Sequence, residues 1–117
     1  DPGIEQARHR IAVEVIHLNE TSGEAAMSFL RDLMKVENPS VRANVPMALA
    51  AVASEEAIEM LISMAEDRDE KVKREVIKNL KNITKRIYSG ELKLPEYYAR
   101  EVADALEKEI EEGEWIF

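Results

Sequence analysis

Apolar residues recur at helical spacing along most of this chain, and the pattern of residues 24–53 returns 31 positions later. A period in the thirties with helical spacing inside each copy predicts a helical solenoid built from repeated hairpins. Because one hairpin cannot bury its apolar face alone, the two copies are expected to stack on one another. The identical positions are the pairs Glu24/Glu55, Ala26/Ala57, Leu30/Leu61, Val41/Val72, Val45/Val76 and Leu49/Leu80.

Residues that favour helix N-termini divide this pattern into six predicted helices, and Asn38, Ser54 and Asp69 are three of the predicted caps. Thr21, with Glu24 three residues later, forms a capping box that opens the second helix. Pro46 stands inside the third helix and predicts a kink there, because proline has no backbone N–H to donate. The six helices are predicted over residues 1–19, 24–36 and 39–53, from the cap Ser54 onward, and over residues 70–88 and 95–112. The second helix is expected to bury Ala26, Met27, Phe29, Leu30 and Leu33.

A short motif precedes the second helix of each copy. It reads D-x-D-x-x-V-K at residues 67–73 and N-P-x-V-R at residues 38–42. This resembles the turn of HEAT and armadillo-type repeats, whose usual text is D-x-[DN]-P-x-V-R. The chain departs from that text where Val36 takes the place of the first Asp and where Lys73 replaces the Arg. The resemblance covers about 60 residues and extends to residues 7–18, which repeat the apolar spacing of the second helices.

The resemblance implies an all-α fold, a right-handed α-α superhelix of about six helices whose second helices line the concave face. It also implies a contact between Arg42 and either Asp67 or Asp69 of the following repeat. Scaffolding, through protein or nucleic-acid binding, is the role it implies far more often than catalysis, and the motif carries no active-site residues. HEAT-like DNA glycosylases and chromophore lyases are a third possibility, but no residue of this chain supports an enzyme beyond the likeness of fold.

One HEAT-like repeat domain is expected over residues 1–117. It divides into a half repeat (1–20), two repeats (21–53 and 54–90) and a C-terminal capping helix with its tail (91–117). The tail residues Trp115, Ile116 and Phe117 are apolar, and they are expected to fold back on the domain.

Composition narrows the function further. The net charge of −8 disfavours general nucleic-acid binding, since like charge repels phosphate. Without cysteine the chain offers neither a disulfide nor a thiolate metal site. His9 and His17 stand outside any metal-binding spacing, so no metal and no cofactor are predicted.

No apolar run approaches the ~20 residues of a membrane span, so a cytoplasmic location is expected. Abundant Glu and Lys beside a single glutamine are typical of hyperthermophilic proteins.

A basic stripe runs along the fifth predicted helix, opposite its apolar face. Residues Lys71, Arg74, Lys78, Lys81 and Lys85 stand three or four positions apart, so like charges are neighbours on one side of the helix. The stripe is either a solvated face or a patch for an acidic partner or a nucleic-acid backbone. In the first case, the acidic face of the last helix would partly neutralise it through Glu101, Asp104, Glu107 and Glu111.

The earlier helices are apolar where the fifth is basic. Met47 and Ala50 occupy the positions of Lys78 and Lys81 in the third helix, and Val13 and Ile16 occupy the same register in the first. A helix that is apolar nearly all round is buried on more than one side. The cover is either the C-terminal tail, in cis, or a second chain, in trans.

The sequence therefore predicts a non-enzymatic interaction or scaffold module that binds another protein or itself. Its protein-facing surface would contain Val13, Ile16, Met47 and Ala50. The alternative is nucleic-acid or acidic-partner binding through Arg74, Lys78, Lys81 and Lys85.

Overall fold

The computed structural model describes residues 2–113, with the side chains of residues 3–111, and all regular secondary structure in that part of the chain is helical. A 3-10 turn, Met64–Glu66, extends the fifth helix. The α-helices are α1 (Pro2–Thr21), α2 (Gly23–Met34), α3 (Pro39–Arg42), α4 (Val45–Val52), α5 (Glu55–Ser63), α6 (Glu70–Tyr88) and α7 (Glu96–Gly113).

Three predicted helix caps are confirmed, and one moves by a residue. The side chains of Asn38, Ser54 and Asp69 each accept hydrogen bonds from backbone N–H groups in the first turn of the following helix. The predicted cap at Thr21 is wrong, because α1 continues through this residue and its hydroxyl donates to the Leu18 carbonyl at 3.0 Å. Ser22 is the first extended residue after α1, and its Oγ accepts from the Ala25 N–H at 3.1 Å.

The kink predicted at Pro46 is confirmed as a break between α3 and α4. Proline has no N–H to donate to the carbonyl four residues earlier, so the ladder of helical hydrogen bonds stops short of it. Ala43 and Asn44 form a turn in which the Asn44 N–H bonds to the Val41 carbonyl at 3.0 Å. The break leaves the Asn44 side chain available to accept a hydrogen bond from α1.

The core lies between the helices at the repeated positions. Leu30 and Leu61 in the first helices of the two hairpins, and Leu49 and Leu80 in the second helices, are all fully buried. The expected burial of Phe29 is wrong, since 44% of this residue is exposed. At about 100° per residue, Phe29 lies roughly 100° from Leu30 and therefore turns away from the buried stripe of α2.

The helices pack as neighbours in the order that stacked hairpins require. Helix α4 packs against both α1 and α6, and α7 packs against α5 and α6. The Tyr98 hydroxyl of α7 donates to Glu59 Oε1 of α5 at 3.0 Å. This hydrogen bond, together with desolvation and the charges of Glu59 and Glu55, raises the pKa of Tyr98 to about 12.

The predicted contact between the turns of successive repeats is confirmed. Arg42 Nε lies 2.8 Å from Asp67 Oδ2, and Arg42 Nη2 lies 3.1 Å from Asp67 Oδ1, so the pair is bidentate. Arg42 Nη1 also donates to the carbonyls of Val36 and Glu37. Val36 therefore contributes through its backbone at the position where the family's usual aspartate is missing.

We expect this ion pair to make the stability of the protein depend on pH below neutrality. Burial raises the pKa of Asp67, but hydrogen bonds from Arg42 and from the Asp69 backbone outweigh it and hold this pKa below its ordinary value of 3.8. A group whose pKa is depressed by folding stabilises the native state above its unfolded pKa. That contribution is lost as the pH falls through the lower, folded pKa.

Urea unfolding of Asp67→Asn measures this effect. The variant should be clearly less stable than the parent at neutral pH, and the gap should narrow as the pH is lowered to about 3. Glu56→Gln removes an exposed carboxylate that pairs with Arg31 and is the matched control, with a smaller gap at every pH. An Asp67→Asn gap that stays constant from neutral pH to about 3 would contradict the proposed role.

A candidate interaction groove between α1, α4 and α6

The predicted surface residues converge on one groove, which has a volume of about 620 Å³. Helices α1 and α6 form its two walls, and α4, which packs between them, forms its floor. We refer to this concavity as the groove. Its lining includes Val13 and Ile16 of α1, Met47 and Ala50 of α4, and Lys78, Lys81 and Lys85 of α6.

The apolar part of the groove comes from α1 and α4. Val13 is 39% exposed, while Ile16 and Met47 are half-buried and pack beside it. Ala50 lines the floor but is only 3% exposed. Its carbonyl accepts a hydrogen bond from Arg86 Nη1 at 2.7 Å, which ties α4 to the far end of the α6 wall. Val13, Ile16 and Met47 therefore provide most of the apolar surface that a partner would meet.

The basic part of the groove comes from α6. Lys78 and Lys85 are exposed and Lys81 is half-buried, and all three line the groove, whereas Arg74 lies one turn before this lining. Lys78 Nζ lies 3.4 Å from Glu5 Oε1 and 3.9 Å from Glu75 Oε2.

The predicted neutralisation by the last helix is not seen at Lys78. Its ion-pair partners belong to α1 and to α6 itself. Glu101 and Asp104 of α7 instead line a second cavity beside α5, together with Ile62. Lys78, Lys81 and Lys85 of the α6 wall share one concavity with the apolar residues of α1 and α4.

A charged cluster next to the groove was missed by sequence reasoning. Arg8 Nη1 lies 3.2 Å from Glu75 Oε2, and Arg8 Nε donates to Asn44 Oδ1 at 3.3 Å. Glu75 is 8% exposed, and its Oε1 is buried without a hydrogen-bond partner. The cluster joins α1, the break before α4 and α6. The available signal was that Glu75 is the one acidic residue among the basic residues 71–85 of α6.

The repeat pattern itself has a known counterpart. A family model for HEAT repeats matches residues 5–83, more than half of the chain. The chain belongs to the HEAT repeat family. HEAT repeats are generally protein-interaction scaffold modules. Among curated proteins and among solved structures, no match to this chain reaches significance.

The family match includes all three helices that form the groove. Residues 5–83 contain most of α1, all of α4, and α6 as far as Ile83. The match therefore includes residues 7–18, to which the resemblance was extended. Of the basic wall of the groove, only Lys85 and Arg86 lie beyond the match.

Other kinds of site have little support in the described part of the HEAT chain. Among its described residues, no group of three or more His, Asp or Glu side chains is placed to hold a metal ion. None of the described helices combines the length and the apolar character that crossing a membrane demands. The expected cover by Trp115, Ile116 and Phe117 falls outside the described residues.

Proposed function

We propose that this HEAT protein is a non-catalytic interaction module that binds a polypeptide in the groove. The observation that carries the proposal is that apolar residues of α1 and α4 meet the basic wall of α6 in one concavity. Val13 and Met47 offer apolar contact, while Lys78 and Lys85 stand across from them on α6. The matching ligand is a polypeptide that presents large apolar and acidic side chains together.

A polypeptide fits this groove better than a nucleic acid does. Three lysines give a salt slope of only about −3 in phosphate binding, which is too small for tight binding at physiological ionic strength. The net charge of −8 repels a duplex from the remainder of the surface. The exposed Val13 on the opposite wall matches the apolar side chains of a peptide rather than a phosphate backbone.

A non-catalytic role agrees with the chemistry of the lining. The ionisable residues that line the groove are three lysines, Arg86 and His9. Arg86 is already engaged by Glu91 and by the Ala50 carbonyl. Within this lining there is no carboxylate or hydroxyl close to His9 that could act with it as nucleophile or base.

The proposal predicts that Val13→Glu weakens peptide binding at least about tenfold. The probe is a fluorescein-labelled 15-residue amphipathic helix with leucines on one face and glutamates on the other. Its binding is followed by fluorescence polarisation at about 0.15 M salt, where we expect a Kd in the micromolar range. An added carboxylate in the groove removes apolar contact and repels the glutamates of the probe.

Val36→Glu is the matched control. Val36 is 36% exposed, close to the value for Val13, but lies at the turn beside Arg42 and Asp67, outside the groove. This variant should bind the probe like the parent. The same peptide with lysines in place of glutamates should not bind. Equal loss in both variants, or tighter binding of a DNA duplex than of the acidic peptide, would overturn the proposal.

A further inference from the structure

We infer that a small pocket between α7 and the end of α5 binds the guanidinium group of an arginine side chain presented by a partner protein. The pocket has a volume of about 210 Å³ and shares no lining residue with the groove. We refer to it as the acidic pocket, because its described lining residues include four carboxylates: Glu66, Glu101, Asp104 and Glu109.

Glu109 distinguishes the acidic pocket from an ordinary charged surface. It follows the buried Val102 by seven positions, about two helical turns, so both residues lie on the face of α7 that packs against the domain. Glu109 is only 5% exposed and lines the pocket. Among the described residues, none donates a hydrogen bond to its carboxylate or forms an ion pair with it. A carboxylate that leaves water without an opposite charge costs free energy, and a cation bound in the pocket would offset that cost.

The lysine that lines the acidic pocket does not provide this cation. Lys108 is adjacent to Glu109 in the sequence, and neighbouring residues of a helix point about 100° apart. Its Nζ instead lies 3.9 Å from Glu66 Oε1, in a pair whose side chains are both more than half exposed. Residues 112–117 read E-G-E-W-I-F and contain no Lys or Arg, so they bring no side-chain cation either. The charge that Glu109 requires is therefore expected from a ligand.

The rest of the lining suits the long side chain of arginine. Ile62, Ala65 and Ala105 provide apolar contact for its methylene groups, while the carboxylates receive its charged end. A guanidinium is more weakly hydrated than an ammonium, so arginine enters a site beside the buried Glu109 more easily than lysine does. The planar array of N–H groups in a guanidinium can also donate to two carboxylates at once.

The size of the acidic pocket and its surroundings indicate a protein as the source of the arginine. Pockets that enclose drug-sized ligands measure roughly 300–1,000 Å³, so this smaller one holds a single side chain. Ile110, the residue after Glu109, is 46% exposed and offers apolar contact next to the pocket. The exposed Glu66 and Asp104, together with the net charge of −8, attract a basic surface.

A titration with an arginine peptide tests this site. The probe is a fluorescein-labelled 12-residue peptide with two arginines flanked by leucines, and its binding is followed by fluorescence polarisation at about 0.15 M salt. We expect saturable binding with a Kd of roughly 100 µM. The same peptide with citrulline, which keeps the shape of arginine but carries no charge, should not bind. A version with lysine should bind at least about threefold more weakly.

Variants of α7 separate the acidic pocket from the general negative charge of the protein. Glu109→Gln keeps the shape of the side chain and removes its charge, so it should weaken binding at least about tenfold. Asp104→Asn and Glu107→Gln each remove one exposed carboxylate from α7, but only Asp104 lines the pocket. We expect about a two- to fivefold loss for Asp104→Asn and the affinity of the parent for Glu107→Gln. Val13→Glu, which alters the groove, should also bind this probe like the parent.

Urea unfolding of Glu109→Gln gives an independent measurement. Because no described residue pairs with the carboxylate, the variant should unfold at a urea concentration no lower than that of the parent. A lower midpoint would show that Glu109 stabilises the fold through a partner in its own chain, which contradicts a site kept for a ligand.

Methyl NMR locates the bound arginine peptide. Resonances of Ile62, Ala65 and Ala105 should shift and saturate with the peptide, while those of Val13 and Met47 in the groove stay in place. Shifts confined to the groove would overturn the inference. So would equal affinities for the arginine peptide and its lysine or citrulline version, or equal losses in Glu109→Gln and Glu107→Gln.

Discussion

Replacing Leu49 or Leu80 with alanine is expected to lower the free energy of unfolding by about 2–5 kcal/mol. The two leucines occupy equivalent positions in the second helices of successive repeats, and both are fully buried. Each truncation removes buried apolar atoms and leaves a cavity in the layer where α4 packs against α6. Urea unfolding followed by circular dichroism measures the loss.

Ile4→Ala is the control for these truncations. Ile4 lies on α1 and is 48% exposed, so its truncation should cost less than about 1 kcal/mol. A loss below about 0.5 kcal/mol for both Leu49→Ala and Leu80→Ala would contradict the repeat register on which the fold rests.

Replacing Arg8 with methionine is expected to lower the free energy of unfolding by about 3 kcal/mol. Arg8 and Glu75 have side chains that are each only 11% exposed, and their ion pair connects α1 to α6. Without Arg8, the Glu75 carboxylate stays where it is and loses its nearest cation. The Lys78 ammonium, at 3.9 Å, is then its remaining ion-pair partner. Most of the expected loss comes from this uncompensated charge rather than from the attraction itself.

The double variant Arg8→Met with Glu75→Met separates these two contributions. If the uncompensated charge dominates, removing both partners should recover most of the stability that the single Arg8→Met change loses. Arg31→Met breaks an exposed pair with Glu56 and should cost no more than about 1 kcal/mol. A double variant that is less stable than Arg8→Met would contradict the explanation.

The sequence predicted the elements of the fold well because their determinants are local. Asn38, Ser54 and Asp69 cap helices through neighbours two or three residues away. Pro46 interrupts its helix through its own missing N–H. The spacing of 31 residues placed Leu49 and Leu80 in equivalent buried positions, and the turn motif predicted the contact between Arg42 and Asp67.

The predictions that were wrong depended on details that pattern alone does not contain. Thr21 and Ser22 can both cap a helix, and the choice depends on how far α1 extends before the chain turns. Phe29 is large and apolar, yet it lies off the buried stripe of α2 and stays largely exposed.

The groove could be predicted only in parts. The repeat register identified Val13 and Met47 as apolar and Lys78 as basic at corresponding positions of three helices. It treated them as two alternative surfaces. Whether successive second helices bring such positions into one concavity depends on the rotation between repeats, which the spacing of residues within a helix does not specify. The buried Glu75 required the same long-range information, because its partner Arg8 comes from α1.

The most direct test of the groove is a methyl NMR titration with the designed acidic amphipathic peptide. The methyl groups of Val13, Ile16 and Met47 line the groove, whereas Val36 and Met34 line a separate cavity at the turn. We predict that resonances of the first group shift and saturate with the peptide while those of the second stay in place. Shifts confined to Val36 and Met34, with Val13 and Met47 unchanged, would contradict the account.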